Sequence, residues 1–319
     1  MMYLDTPNFM NNKDKKLNIS KKTTVKIYDP SVKFQFDLDS IYGLFKVKFI
    51  SCVKYFWSVT TIIKNFRKYL KFNELKNSKK NKKLLILGGG PSLLKLEKIK
   101  NYKLKKNFEV MGMAYFNKYS NIKLIPNYII SADNTFLVQN SSRKFRKKNI
   151  FTKSKNKNIL KYIQKHNINL FLPLEYSNTY KHLKINANFF LSRNSIFFTK
   201  NINPLFPLGV PPMSFFYALS IGIFMGYKEI YLLGLDNTYP KDVWVDDKNK
   251  LYNIERYAKE FYLSDQSMRY KNITSMYYEI SMIFYGLNLY KQFQDKVFNL
   301  DDFSLTNIFK KKNFDKILK

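Results

Sequence analysis

Residues 84 to 93 read LLILGGGPSL, and three glycines followed by a proline and a serine are the part of this 319-residue chain whose types and spacing most directly suggest chemistry. Glycines let a backbone approach a ligand with no side chain in the way. The N–H groups at the start of a following helix, with the positive end of its dipole, attract phosphate. Gly88, Gly89 and Gly90 would form the turn. Pro91 suits the first helical position, where its missing N–H costs nothing, and Ser92 offers a hydroxyl to a phosphate or to the helix end. The run is neither GxGxxG nor GxxxxGKS/T, so a nucleotide cradle and a plain connection both fit it.

A second position follows the same logic. Residues 128–132 (YIISA) read as a strand ending at Asp133. In open α/β sheets ligands sit outside the carboxyl ends of the strands, where an aspartate can accept from a ribose or sugar hydroxyl; a helix cap is the alternative for such a residue. Metal chemistry has little to work with. Cys52 is the only cysteine, His166 and His182 have neither HExxH nor HxxxH spacing, and Asp246-Asp247 lacks the spacing of a metal-binding DxD, so no metal site is expected.

A glycine turn needs a strand and a helix to hold it. Leu84 to Leu87 is a short continuous apolar run of the kind buried on both faces of a parallel sheet, and Leu93, Leu96 and Ile99 follow at helical spacing. Further strands are expected over 108–114, 128–132, 170–172 and 230–235, with an apolar helix over 214–225 ahead of the last. Ile273, Met276, Tyr277, Ile280 and Phe284 predict another helix, leading through Gly286 into a short strand at 287–290. Strands alternating with helices imply an α/β fold, a doubly wound and mostly parallel sheet. It would occupy 84–300, after a helical basic extension over 1–83 with a linker or solvated turn at 71–83, and before a basic tail at 301–319.

Composition narrows the class. With 45% hydrophobic residues and only 10 Gly and 10 Pro the chain is globular, neither collagen-like nor of low complexity. Lys+Arg number 56 against 23 Asp+Glu, a formal net charge of +33, which favours a polyanionic partner. Only six of those 56 are arginine, whereas phosphate and base readers favour the bidentate Arg fork, so nucleic acid is not the expected partner. Residues 1–24 lack the basic, apolar, small-residue pattern of a cleaved leader, and a cytoplasmic protein is expected. Phe45, Phe49, Val53, Phe56 and Ile63 recur at helical spacing among Lys46, Lys54, Lys64, Arg67 and Lys68. That pattern fits a peripheral helix on an anionic inner leaflet, or a helix packed on its own domain. The uncharged run 55–63 is far short of the roughly 20 residues of a membrane span.

The run at 84–93, together with the block from Ser214 through FFYALSIGIFMGYKEIYLLGLD to Asp236, resembles the bacterial lipooligosaccharide sialyltransferases and the related MptE-like proteins, over residues 84–290. The resemblance implies a Rossmann-like sheet and a glycosyltransferase whose sugar donor, linked to cytidine monophosphate, is held by the glycine turn and the strand ends without a metal ion or bound cofactor. Carried over position by position, it implies donor contacts from Gly88, Gly89, Gly90, Pro91, Ser92, Asp133, Ser214 and Asp236. The acceptor would be a cell-surface glycan or a glycolipid precursor such as lipooligosaccharide.

The sequence also departs from that pattern. Asparagines of the sialyltransferases fall on Gly89 and Ala114. The two tyrosines that hold the leaving phosphate there have Tyr239, shifted by one, and Trp244 as nearest equivalents; an indole N–H donates but carries no hydroxyl. The general-base histidine falls in the segment 263–270 (LSDQSMRY), which contains none. Glycosyl transfer needs a base for the acceptor hydroxyl and donors for the leaving phosphate. Asp265 is the available base and Arg269 and Tyr270 the available donors, with an ordinary helix cap and surface charge as their alternatives. Two other activities fit parts of the pattern: a pyrophosphokinase of MptE type, dependent on magnesium and a nucleoside triphosphate, and a basic module for nucleic acid or a membrane surface. The sequence leaves the oligomeric state open.

Overall fold

In the computed structural model the described residues are 26–28, 35–37, 41–98, 104, 108–114, 124–132, 136, 152–181, 183–195, 199–235, 243–245, 251–255, 262–265, 273–302, 304 and 306–318. The strands β1 (Lys26–Tyr28) and β2 (Gln35–Asp37) pair with each other and precede the helices Ile41–Lys64 and Phe66–Asn73. Then come β3 (Lys83–Leu87), a 3-10 helix Pro91–Lys98, β4 (Glu109–Met113), β5 (Tyr128–Ile130), the helix Thr152–Lys165, β6 (Asn169–Pro173) and β7 (Ala187–Phe190). The helix Ser214–Phe224 leads to β8 (Glu229–Leu233), which is followed by β9 (Val243–Val245), β10 (Leu251–Glu255) and β11 (Tyr262–Asp265). The helix Ile273–Asn288, β12 (Val297–Asn299), β13 (Lys310–Lys311) and the helix Phe314–Leu318 complete the chain.

Eight strands form one sheet in the order β13-β12-β8-β3-β4-β5-β6-β7, and every pair is parallel. Both faces are covered, which is why the strands are continuous apolar runs instead of alternating ones. Leu84, Ile86, Ile230 and Leu232 belong to the core on one face, while Leu85, Leu87, Tyr231 and Leu233 belong to the core on the other. The chain lays down β3 to β7 in one direction. It then returns through the helix Ser214–Phe224 and continues on the other side of β3 with β8, β12 and β13. The fold is therefore a doubly wound, Rossmann-like α/β sheet, and the winding reverses between β3 and β8.

Several elements differ from the sequence-based expectation. The strand expected at 287–290 is the end of the helix Ile273–Asn288. Gly286 does not stop that helix; a Cβ there would lie 2.6 Å from Cζ of Phe216 and 2.8 Å from Cδ of Pro211, so the glycine lets the helix close on its neighbour. The last parallel strands come instead from 297–299 and from 310–311, within the stretch read as a basic tail. Phe309, Phe314 and Leu318 of that stretch are buried. Its lysines had masked three anchors spaced for burial.

The stretch read as a linker at 71–83 is also anchored: Phe72 is 1% exposed, and the N–H groups of Asn77 and Lys79 donate to the carbonyls of Phe224 and Met225. Finally, β9, β10 and β11 form a separate antiparallel sheet, inserted after β8, that the sequence did not reveal.

Candidate functional site

At the carboxyl edge of the sheet the connections after β3 and β8 leave in opposite directions, the place where open α/β sheets present a crevice. Here the two strand ends are tied together by small groups. The N–H of Gly88 donates to the Leu233 carbonyl at 2.7 Å and that of Gly90 to the Gly234 carbonyl at 2.8 Å. In return, the N–H of Gly234 donates to Oγ of Ser92 at 2.8 Å. A Cβ on Gly88 would fall 2.2 Å from the Gly234 oxygen, and Gly234 itself takes φ +77 with Leu93 packed against it. Both positions demand glycine, the first because backbone meets backbone and the second because of its left-handed conformation.

This sharpens the expectation for the turn. The N–H groups of Gly88 and Gly90 and the Ser92 hydroxyl are engaged with β8, and the helix that Pro91 opens is 3-10 in form. Gly89 is the exposed member of the three, with Gly90 half-buried beside it. Gly234 was not singled out from the sequence. Its signal was the Gly-Leu-Asp that follows Ile-Tyr-Leu-Leu, a glycine at the end of a strand.

Ser214 reaches the same edge from further along the chain. Its Oγ accepts from the N–H of Ala132 at 3.0 Å, which fixes the first turn of the helix Ser214–Phe224 to the end of β5. A braced loop delivers it. Asn201 donates through Nδ2 to the carbonyls of Asn203 and Pro207, at 2.9 and 3.1 Å, and the N–H of Ser195 donates to the Leu208 carbonyl at 2.8 Å. Because β5 is two strands from β3, this point lies about 10 Å along the edge from the glycine turn.

On the other side, Ser304 donates to the Leu235 carbonyl at 2.8 Å, and the Asn299 Oδ1 accepts from the N–H of Asp301 at 3.0 Å. Asp301 is buried 3.8 Å from Nζ of Lys95, which belongs to the 3-10 helix after the glycine turn. These groups were missed because nothing in the spacing of 299–304 sets them apart; β12 brings them to β8.

Asp133, Asp236, Tyr239, Arg269 and Tyr270 lie outside the described residues, as do His182 and the Asp246-Asp247 pair. Trp244 and Asp265 belong to the inserted sheet, where the backbone register aligns both with Tyr252, so they occupy one row on either side of it. Asp265 is the last residue of β11. His166 follows the helix Thr152–Lys165 at the amino edge, remote from the glycine turn. Among the described residues, no three His, Cys, Asp or Glu side chains group as a metal site.

Strongly shifted acidities sit at the amino edge as well. Glu109 accepts from Nζ of Lys79 at 2.8 Å, from Lys82, from the Tyr128 hydroxyl at 2.8 Å and from Tyr227. Burial alone would raise its carboxyl, but those four donors outweigh it and hold the group at about 2. Burial and the neighbouring Glu109 charge push both tyrosine hydroxyls well above their ordinary range.

A family model described as 6-hydroxymethylpterin diphosphokinase MptE-like matches residues 60–242, more than half of the chain. The chain belongs to the MptE-like family. The matched stretch carries the glycine turn, Ser214 and Gly234, and it ends just before β9 begins, so Asp265 and the segment around it lie beyond it. Among solved structures, the MAf glycosyltransferase from Magnetospirillum magneticum AMB-1 is similar at 10% identity with a TM-score of 0.42. That likeness covers 78% of this chain and 38% of the other, so the MptE-like chain spans well under half of its length. No curated protein matches the sequence.

Proposed function

We propose that this MptE-like protein transfers a sugar from a nucleotide donor, with the donor phosphate seated at the exposed Gly89 in the crevice beside the ends of β3 and β8. The observation that carries the reading is the lock between Gly88 and Gly234 at the point where the winding reverses. It brings backbone against backbone at the two strand ends beside which the topology opens a crevice, and leaves Gly89 exposed there. Ser214 and the helix it opens, together with Asp133 and Asp236, each three residues past the last residue of β5 or β8 in the sequence, would line the same edge and meet the nucleoside and sugar.

In this scheme an acceptor hydroxyl attacks the anomeric carbon, a base removes its proton and the nucleoside phosphate leaves. Asp265 is the proposed base, and Arg269, Tyr270, Tyr239 and Trp244 the donors for the leaving phosphate. A cytidine monophosphate donor, a nonulosonic sugar such as sialic acid, a glycan or lipooligosaccharide precursor as acceptor, and independence of metal come from the resemblance of the 84–93 and 214–236 blocks. The second reading, a diphosphokinase, is favoured by the description of the family model that the chain matches.

Thermal shift with CMP, UDP, GDP and ATP, each with and without magnesium, separates the two. A ligand at 100 times its dissociation constant adds about 2.7 kcal/mol of stability. The transfer reading expects CMP to stabilise the protein without magnesium, and expects Gly89→Val, whose side chain would enter the phosphate space, to abolish that shift while melting as before. Stabilisation by ATP with magnesium and none by CMP would replace it with the diphosphokinase reading.

A further inference from the structure

The helix Ile41–Lys64 is docked the wrong way round for a helix of a water-soluble domain. Its hydroxyl-bearing face is turned inward: Ser51, Ser58 and Thr61 are buried. Arg193 Nη1 donates to the Trp57 carbonyl at 2.9 Å and to Oγ1 of Thr61 at 3.1 Å, and Ser195 donates to the Ser51 carbonyl at 3.0 Å. The next helix continues the seam, with Lys68 Nζ donating to Oγ of Ser177 at 2.8 Å and Ser177 to Oδ1 of Asn65 at 3.0 Å. The apolar face points away. Phe45, Phe56 and Ile63 are 67%, 63% and 69% exposed, and Phe49, Val59, Phe66 and Leu70 are exposed on the same stripe. Val53, which the spacing had placed on that stripe, is half-buried at its border.

A contiguous exposed stripe of this size marks a surface that something covers. Its period of alternating four and three residues would suit a second helix, but the charges select otherwise. From Ile41 to Asn73 there are seven basic residues, Lys46, Lys48, Lys54, Lys64, Arg67, Lys68 and Lys71, and no acidic one. A second copy of this face would bring like charges together with no ion pair to offset them, whereas anionic headgroups complement them. Lys48, Lys64, Arg67 and Lys71 are exposed along the borders of the stripe, and no helix among the described residues is long and apolar enough to cross a membrane.

We propose that the stripe from Phe45 to Leu70 lies in the interface of an anionic lipid bilayer, its aromatic and aliphatic side chains below the headgroups and its lysines among them. The anchoring residues Ser177, Arg193 and Ser195 follow β6 and β7, so the bilayer would meet the protein on the side of the sheet's carboxyl edge.

Sedimentation of the full chain with vesicles tests this, and with no nucleotide present the result is independent of the reading of the crevice. Vesicles of three parts phosphatidylcholine to one part phosphatidylglycerol should carry the protein into the pellet with a blue shift of tryptophan emission from Trp57, and raised salt should release it. Phe49→Ser/Phe56→Ser/Ile63→Ser, all at exposed positions, should lower the partition coefficient at least tenfold with unchanged melting. Failure of the unmodified chain to sediment, equal sedimentation of the triple variant, or a dimer in velocity sedimentation that the triple variant converts to monomer would each overturn the proposal, the last by assigning the stripe to a second copy.

Discussion

The two edges of the central sheet are built from opposite materials. At the amino edge, Glu109 gathers two lysines and two tyrosines, and Glu229 pairs with Lys83 at 2.6 Å. These are large, charged side chains whose bonding capacity is filled from within. At the carboxyl edge the hydrogen bonds that tie β3 to β8 run from glycine N–H groups to backbone carbonyls and to the Ser92 hydroxyl. A saturated carboxylate with its charge held fixed is architecture, because nothing remains on it to meet a ligand. An edge whose strand ends meet through glycine backbone leaves the exposed Gly89 to offer one. Charge and perturbed acidity, the usual pointers to a functional site, here lie at the end of the sheet opposite the proposed crevice.

The comparison can be broken most forcefully at the chemistry. Asp265→Asn should lower turnover of a glycosyl transfer by roughly 10²- to 10⁴-fold if Asp265 is the base, while His166→Ala at the amino edge leaves turnover unchanged. Near-normal turnover of Asp265→Asn, or loss of turnover in a folded His166→Ala protein, would reverse the assignment.

Next in size is the lock itself. Gly88→Ala places a methyl against the Gly234 carbonyl and should cost about 3 kcal/mol or more of stability in denaturant titration, although alanine is nearly the smallest change available. A cost below about 1 kcal/mol would mean that the two strand ends are not held as described.

At the amino edge, Glu109→Gln should cost about 2 kcal/mol, from weakened bonds to Lys79, Lys82 and the two tyrosines, without altering nucleotide affinity. It also has a pH signature. The folded carboxyl stays ionised down to about 2 against an ordinary 4.5, so its contribution is complete above that ordinary value and is lost as pH falls from 4.5 towards 2. Stability curves of the two proteins should therefore converge in acid, and a constant gap across that window would contradict the account of Glu109.

The smallest effect separates structure from binding within one edge. Ser92→Ala removes the acceptor for the Gly234 N–H and should cost about 1 kcal/mol of stability while shifting nucleotide affinity only modestly, in contrast to Gly89→Val. Equal losses of affinity in both variants would make Ser92 a ligand contact as well as a brace.

Much of the frame was legible because it depends on neighbouring residues. The apolar runs of β3, β4, β5, β6 and β8 and the helix Ser214–Phe224 are patterns of a few consecutive side chains, and each appears within a residue or two of its expected place. What escaped was set by distant contacts. Gly286 reads as a helix stop until Phe216 and Pro211 are seen to occupy its face, and Phe309, Phe314 and Leu318 read as a tail because lysines dilute them. The inserted sheet of β9, β10 and β11 has no clear alternation to announce it. In the candidate site, the glycine turn and Ser214 were visible as local motifs, whereas Gly234, Asn299 and Asp301 acquire a role only from the strands beside which they fall.

By itself the sequence determined that strands and helices alternate, that a glycine turn follows a strand buried on both faces, and that the amino-terminal helices carry positive charge with no acidic residue. These follow from side-chain size, polarity and backbone freedom over a few residues, which act before any tertiary contact exists. Only the tertiary structure decided that β8 lies beside β3, so that Ser92 and Gly234, 142 residues apart in the chain, share a hydrogen bond, and that the hydroxyl face of the first long helix turns inward while its aromatic face turns out. Such choices rest on which surfaces meet when the chain closes, and the pairing of one buried strand with another of nearly identical composition is not encoded in either strand alone.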